Sequence, residues 1–149
     1  MRALSLLAGV CALVVVVATH PGIAQAQAKK VQVEVQSIQA LTAKDKGKAP
    51  AKLAKKLRAA FMGYQSFSVL ATRAMALEKG KSGSMALPNK RSLDVTYLGV
   101  ADKMLKLRVA IPPDLRTDVR VSNGGTFYQA GMKHDGGILI LAIQAKTLP

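Results

Sequence analysis

The chain has 149 residues, a formal net charge of +14, one cysteine and no tryptophan. With only three Phe and three Tyr, it lacks the side chains of an aromatic-rich carbohydrate- or base-stacking surface. A single cysteine also excludes a disulfide framework or a cysteine-rich zinc site. The length supports one domain with one core, and the charge favours salt-sensitive binding to anionic surfaces.

The first 28 residues have the pattern of a secretory signal peptide. Arg2 precedes an apolar run of sixteen residues, Ala3 to Ala18, which only Ser5 interrupts. Small residues then offer a cleavage site, as Ala24-Gln25-Ala26 or Ala26-Gln27-Ala28. A membrane anchor is the alternative interpretation, but the run is shorter than the roughly 20 residues that a spanning helix needs. We therefore predict cleavage and a periplasmic or secreted protein.

Export limits the partners that the mature protein can meet. Cys11 lies early in the apolar run after Val10, which does not fit a lipidation site, so the mature chain would carry no thiol. Removing residues 1–28 takes away one cation, Arg2, and no acid, so the net charge falls from +14 to +13. We expect an envelope protein or an anionic envelope surface as partner, no intracellular nucleic acid and no membrane anchor.

The mature chain begins with a strand and a basic helix. Residues 31–40 alternate valine with polar side chains, which predicts a half-buried strand. Residues 42–49 are rich in lysine and lose all periodicity, as expected of a solvated linker. Pro50 can open a helix, and Leu53, Leu57, Ala60 and Phe61 then share one apolar stripe. This lysine-rich linker and helix occupy about residues 42–62.

The remaining residues, 64–145, return to a period of two. One face of the next strand carries Phe67, Val69, Ala71, Met75 and Leu77, with Arg73 as an intruder. Residues 92–111 predict a β-hairpin, and the apolar segment 138–143 predicts a central strand that is buried on both faces. The fold class is therefore α+β: one amphipathic helix on a mainly antiparallel sheet or sandwich of about six or seven strands, residues 29–149 forming one domain.

The basic segment is the first candidate site. Its cations would bind an anionic polymer or surface, and they are Lys44, Lys46, Lys48, Lys52, Lys55, Lys56 and Arg58. A solvated linker and the wet face of a helix are the alternative interpretation. Because six of the seven are lysines, any binding should be diffuse rather than the bidentate recognition that arginine provides.

Catalysis is not predicted. His134 is the only histidine after residue 28, so a metal site with three or four His or Cys ligands cannot form. Asp135-Gly136 is instead typical of a tight hairpin turn. The segment from Asp114 to Asp118 is expected to be a loop that enters a strand around Val119. No paired-carboxylate, phosphate-loop or nucleophile-elbow motif occurs, so we expect neither enzyme activity nor a cofactor or metal.

Four strings after Gly63 combine turn and strand patterns, and they are YQSFSVL (64–70), LPNKRSLDV (87–95), NGGTF (123–127) and HDGGILILAI (134–143). They resemble those of small exported proteins of Gram-negative bacteria that have no assigned activity. The resemblance implies a compact β-rich unit over residues 64–145 and no particular site residue.

The sequence thus favours an exported binding protein of the cell envelope without catalysis. Engagement of another envelope protein is the first hypothesis, and electrostatic binding of lipid headgroups, polysaccharide or extracellular nucleic acid through Lys44–Arg58 is the alternative. The first predicts an exposed apolar patch or open sheet edge. The second predicts that cations of the helix join others on one face.

Overall fold

A computed structural model describes residues 29–44 and 47–149. The predicted signal peptide, residues 1–28, lies outside the described residues, as do Asp45 and Lys46. The elements are, in chain order, β1 (Lys30–Leu41), α1 (Ala51–Ala60), β2 (Ser66–Glu78), β3 (Ser82–Ala86), β4 (Ser92–Ala101), β5 (Met104–Ile111), β6 (Leu115–Val121), β7 (Thr126–His134) and β8 (Gly137–Thr147).

The strands form two antiparallel sheets of four. Sheet A has the order β2-β1-β8-β7, and sheet B has the order β3-β4-β5-β6. This confirms a mainly antiparallel β protein with one helix. The eight strands of the described residues exceed the six or seven predicted, because β3 has only five residues and gives a weak alternation signal.

Alternating side chains of both sheets make one apolar core. Val31, Val33 and Val35 of β1 contribute from sheet A, and Val95 and Leu107 contribute from sheet B. These side chains are fully buried. We call the face of sheet A that contributes to this core its inner face, and the opposite face its outer face.

The helix α1 packs on the outer face of sheet A. Leu57 and Ala54 are buried there in a second apolar cluster that includes Ile38, Phe67 and Ile140 of the sheet. The predicted stripe is partly wrong, since Ala60 is exposed and Ala54 takes its place. The helix therefore covers one half of the outer face and leaves the other half open.

A bulge in β2 corrects the predicted face of that strand. Ser37 pairs with Ala71 and Ile38 pairs with Val69, so Leu70 has no partner on β1. The extra residue reverses the alternation. Phe67 and Val69 consequently lie under α1, whereas Met75 and Leu77 enter the core between the sheets. The prediction that all of them share one face is wrong.

The strand β8 is central, as predicted. It lies between β1 and β7, and its residues Leu139–Ile143 are all buried. The sheet core covers its inner face and α1 covers part of its outer face. The sequence pattern without alternation therefore reflects burial on both sides.

Tight turns fall near their predicted places. Asp135 and Gly136 have φ angles of 40° and 78°, the positive values that a type I′ turn requires. The turn is shorter than predicted, since Lys133 and His134 belong to β7. Asp118 likewise lies within β6, which begins at Leu115, so the predicted loop from Asp114 to Asp118 is largely strand.

Candidate functional site

The linker before α1 is attached to the sheet rather than free. The Ala49 N–H donates to the Phe67 carbonyl at 2.9 Å, and the Lys48 N–H donates to the Ser68 hydroxyl at 3.0 Å. At the other end of the linker, the Ser66 hydroxyl donates to the Ala43 carbonyl at 2.7 Å. The prediction of a wholly solvated linker is therefore wrong for its ends. These bonds cover the first part of the β2 edge and fix where α1 begins.

The helix directs its lysines to solvent. Lys52, Lys55 and Lys56 are three and four residues apart, so their side chains are neighbours on one side of α1, and all three are exposed. Leu57 lies on the opposite side and is fully buried against sheet A. Arg58 is also exposed, and its Nε donates to the Gln65 carbonyl at 3.4 Å.

Six of the seven predicted site residues are described, and we call them the basic segment. They are Lys44, Lys48, Lys52, Lys55, Lys56 and Arg58, and each is exposed. Lys46 lies outside the described residues. None of the ion pairs between described residues involves the basic segment. Its positive charge is therefore not neutralised by any acid that the structure describes.

Most ion pairs of the described residues lie on sheet B and its turns. Arg108 makes two hydrogen bonds to Asp118, at 2.8 and 3.1 Å, and Arg120 pairs with Asp102. The hydrogen bond from Arg108 lowers the pKa of Asp118, and the same bond raises the pKa of Arg108. Asp118 and Asp102 are thus paired with cations, whereas the cations of the helix have no acid partner among the described residues.

His134 lies at the end of β7 beside the turn that was predicted for it. Its Nε2 is 3.4 Å from the Asp135 carboxylate. Tyr64 and Lys133 line the same shallow depression of about 470 Å³. The described residues contain no group of three or more His, Cys, Asp or Glu side chains that could hold a metal ion.

Sequence reasoning missed a hollow on the face of sheet B that points away from the core. Asp94, Ala110 and Arg116 are register neighbours on β4, β5 and β6 there, and they line a volume of about 550 Å³. Each of the three strands shows outward polar residues, but only the register places these side by side.

Within the part of the chain that is described, no helix has the length and apolar character to cross a membrane.

No protein-family model matches the chain, and neither a curated protein nor a solved structure matches it. The resemblance to small exported proteins therefore stays a prediction.

Proposed function

We propose that this is an exported, non-catalytic protein that binds anionic surfaces or polymers of the cell envelope through the basic segment. The observation that supports this most is the exposure of six cations, on α1 and its linker, without an ion pair to any described acid. The ligand chemistry is a dense array of phosphate, sulfate or carboxylate groups.

Contact with an external anion is energetically more favourable for these lysines than leaving them as neighbours on the free helix. Like charges three or four residues apart destabilise a helix by about 0.2–0.5 kcal/mol per pair. Near an anionic membrane, each lysine instead contributes on the order of 1 kcal/mol of attraction. Binding therefore relieves a repulsion that the free protein carries between Lys52, Lys55 and Lys56.

One cation of sheet A extends the positive surface beyond the helix. The register places Lys133 opposite Ile138, which packs in the cluster under α1, so Lys133 lies on the same face of the sheet as the helix. Lys146 pairs with Gln32 on the open half of that face, where Lys30 and two acids, Glu34 and Glu78, also lie. Lys133 thus accompanies the cations of the helix, whereas the open half carries two cations and two acids.

The experiment that tests this proposal removes the helix lysines alone. The variant Lys52→Gln/Lys55→Gln/Lys56→Gln should bind vesicles of phosphatidylglycerol and phosphatidylcholine about 100-fold more weakly, because three lysines contribute about 3 kcal/mol. Cosedimentation at several salt concentrations measures this. Binding of the native protein should weaken as salt rises, since exposed charges are screened.

A matched control changes the same net charge elsewhere. Lys81, Lys90 and Lys103 are exposed in turns and form none of the ion pairs between described residues. Their triple replacement by glutamine should lower vesicle binding much less than the helix triple does. Equal losses in the two variants would mean that only net charge matters and would contradict a site on α1.

A substitution at Met62 can distinguish a lipid surface from a soluble polyanion as the ligand. This side chain follows α1 and is 87% exposed. At a membrane it can enter the apolar layer, whereas it has nothing to contact on heparin. Met62→Ser should therefore weaken vesicle binding and leave heparin binding unchanged if lipid is the source of the anions. Equal binding of the native protein and the Met62→Ser variant to vesicles would favour a polysaccharide.

Engagement of another envelope protein is the second candidate, and the open half of the outer face of sheet A favours it. This half carries mostly small or uncharged side chains, namely Gln32, Gln36, Thr72, Ala74, Ala76 and Gln144. Such a face suits contact with another protein better than contact with a polyanion. Ala74→Arg should abolish capture of a partner and should not reduce vesicle binding.

Three finer points accompany this proposal. Stacking of the two sheets as a sandwich is supported by the shared core, and nuclear Overhauser contacts between Val33 and Val95 would test it. Export is supported by the pattern of residues 1–28, and the native protein should begin at Gln27 or Lys29 in the periplasmic or secreted fraction. A His134→Ala variant that lost a measurable activity would contradict the absence of catalysis.

A further inference from the structure

Three of the four edge strands among the described residues are protected against pairing with another chain. The linker covers the first part of β2 through the bond from the Ala49 N–H to the Phe67 carbonyl. A bulge at Gly131 interrupts β7, and β3 has only five residues. Covering segments, bulges and short strands are usual protections of a sheet edge. The fourth edge strand, β6, has none of these three features.

The strand β6 is regular, and its second side has no neighbouring strand in the sheet. All of its residues, Leu115–Val121, pair with β5 without a register shift. Leu115 and Met132 line a gap of about 180 Å³, so β7 does not close over the beginning of β6. Leu115, Thr117 and Val119 point towards the core but are only half-buried. A further strand beside β6 would remove more of their apolar surface from water.

The outward side chains along this edge alternate in charge. Asp114, which precedes β6, is followed at every second position by Arg116, Asp118 and Arg120, so the four lie on one face. All four are exposed. Arg116 forms none of the ion pairs between described residues, so its guanidinium is free to meet an acid of another chain. Such charges discourage most partner strands, but they attract a strand that presents the opposite order.

We propose that β6 pairs antiparallel with β6 of a second copy of this chain, about a two-fold axis at Thr117. Arg116 then lies opposite Asp118 of the second copy, and Asp118 lies opposite its Arg116. Asp114 and Arg120 face each other in the same way. Every outward charge from Asp114 to Arg120 therefore meets its opposite, and opposite charges directly across two strands stabilise their pairing.

The neighbouring registers fit less well. An axis at Asp118 places that residue against itself and Arg116 against Arg120, so every outward pair repels. An axis at Val119 is attractive only between Asp118 and Arg120. The axis at Thr117 uses all the charges, which selects both the partner and the register. This interface lies on sheet B, away from the basic segment, and does not depend on the proposed function.

Charge reversal at Arg116 tests the pairing. In sedimentation velocity at about 0.15 M ionic strength, which screens part of the repulsion between two basic copies, the native protein should dimerise as its concentration rises. Arg116→Asp sets two acids against each other at both symmetry-related positions and should raise the dissociation constant about tenfold or more. A native protein that stays monomeric at every soluble concentration, or a variant that dimerises equally well, would overturn the proposal.

A matched control makes the same change of charge far from β6. Lys81 is exposed in the turn before β3 and forms none of the ion pairs between described residues. Lys81→Asp should dimerise as the native protein does. Equal losses in Lys81→Asp and Arg116→Asp would mean that only net charge matters and would contradict a paired edge.

Mixing two reversed chains tests the complementarity directly. Arg116→Asp and Asp118→Arg should each remain largely monomeric alone, and together they should form a mixed dimer, because each reversed charge then faces its opposite. Asp118→Arg also loses the bond from Arg108, so circular dichroism has to show that it is folded. Two folded variants that do not associate when mixed would rule out the pairing of Arg116 with Asp118.

Cross-linking tests the register without any change of charge at the interface. In a Cys11→Ser background, Thr117→Cys gives a chain with one cysteine. Opposed Cα atoms of antiparallel strands are about 4.5–5.5 Å apart, within the range of about 4.4–6.8 Å for a disulfide. Mild oxidation by copper phenanthroline should therefore link two copies through Thr117→Cys.

Val119→Cys in the same background is the control for register. With the axis at Thr117, the two substituted positions lie about 14 Å apart along the strands, too far for a disulfide. Val119→Cys should therefore not cross-link under conditions that link Thr117→Cys. Preferential cross-linking of Val119→Cys, or none in either variant, would overturn an axis at Thr117.

Discussion

The ring of Phe61 stands edge-on to the ring of Tyr128, with centroids 6.0 Å apart and planes inclined at 80°. This contact joins the end of α1 to β7, one of the two edge strands of sheet A. The helix needs such support. Its N-cap residue is Pro50, which makes no side-chain capping bond, and its first turn contains no acid. A ten-residue helix without a side-chain N-cap is held mainly by tertiary packing.

The first prediction concerns this aromatic contact. Phe61→Leu keeps an apolar side chain but removes the edge-on ring pair, which contributes about 0.5–1.5 kcal/mol beyond area burial. Because the pair holds one end of α1, local opening of the helix should become about tenfold more frequent. Native-state hydrogen exchange of the α1 amides measures this directly.

Tyr128→Leu and the double variant complete the test. Each single change should accelerate exchange in α1 by a similar factor, and the double change should add little, since either one already breaks the pair. Exchange in β4 and β5 should stay unchanged. Independent, additive effects of the two changes would show that the rings do not act together.

The helix and the central strand were predictable because their signals are local. The spacing of Leu53 and Leu57 indicates one buried stripe, and the apolar run Ile138–Ile143 indicates burial on both faces. The faces of β2 were not predictable in the same way. A bulge at Leu70 leaves the alternation of residue types intact and reverses the direction of the side chains only when the strand pairs with β1.

The two candidate sites also differ in how far the sequence alone could predict them. The basic segment is a run of neighbouring residues, so the sequence locates it, but only the structure shows that the linker is bonded to Phe67 and Ser68. The hollow on sheet B combines Asp94 and Arg116, which are far apart in the chain. Its existence depends on the register of three strands, which no local pattern specifies.

The second prediction concerns the acid dependence of stability. The hydrogen bond from Arg108 lowers the pKa of Asp118 in the folded protein, so the folded state binds fewer protons there than the unfolded state. This stabilisation is complete above the unfolded pKa of about 3.9 and disappears as the pH falls through the folded pKa. Asp118→Asn should therefore lower the Tm between pH 5 and 8, and its effect should vanish once the pH falls below the folded pKa of Asp118.

Thermal unfolding followed by circular dichroism across this pH range measures the difference. Glu78→Gln is a matched control, because it removes one negative charge that forms none of the ion pairs between described residues. It should leave the Tm nearly unchanged at every pH. A Tm loss in Asp118→Asn that stayed constant down to pH 2 would show that the carboxylate charge is not responsible.

The third prediction explains the basic residue on an otherwise apolar face of β2. Arg73 pairs with Val35 and belongs to the inner-face series of Ala71 and Met75, yet it is exposed because β2 is the edge of sheet A. An inward-pointing charge is a known protection of a sheet edge against pairing with another chain. Arg73→Val should therefore promote self-association.

Sedimentation velocity at rising protein concentration measures this association. Arg73→Lys keeps the charge and should sediment as the native protein does. The association of Arg73→Val should persist at high salt, since it depends on edge pairing rather than on charge. If the Val and Lys variants associated equally, the shape of arginine rather than its charge would protect the edge.

The last prediction concerns how the linker is held. A Cβ atom added at Gly47 would collide with the backbone of Phe67, whereas one added at Gly83 would meet the end of the Met75 side chain. Backbone of a sheet strand cannot move aside, but a methionine can change its rotamer. Gly47→Ala should thus cost about 1–3 kcal/mol of the free energy of unfolding, and Gly83→Ala should cost less than about 1 kcal/mol.

Urea unfolding of the two variants measures this contrast, and hydrogen exchange of the α1 amides shows its consequence. When Gly47→Ala displaces the linker, the bond from the Ala49 N–H to the Phe67 carbonyl is lost, and α1 no longer begins at a fixed place. Exchange of the α1 amides should then accelerate in Gly47→Ala and not in Gly83→Ala. Equal costs for the two substitutions would mean that the linker gives way as easily as a side chain, and that its attachment to β2 does not position the basic segment.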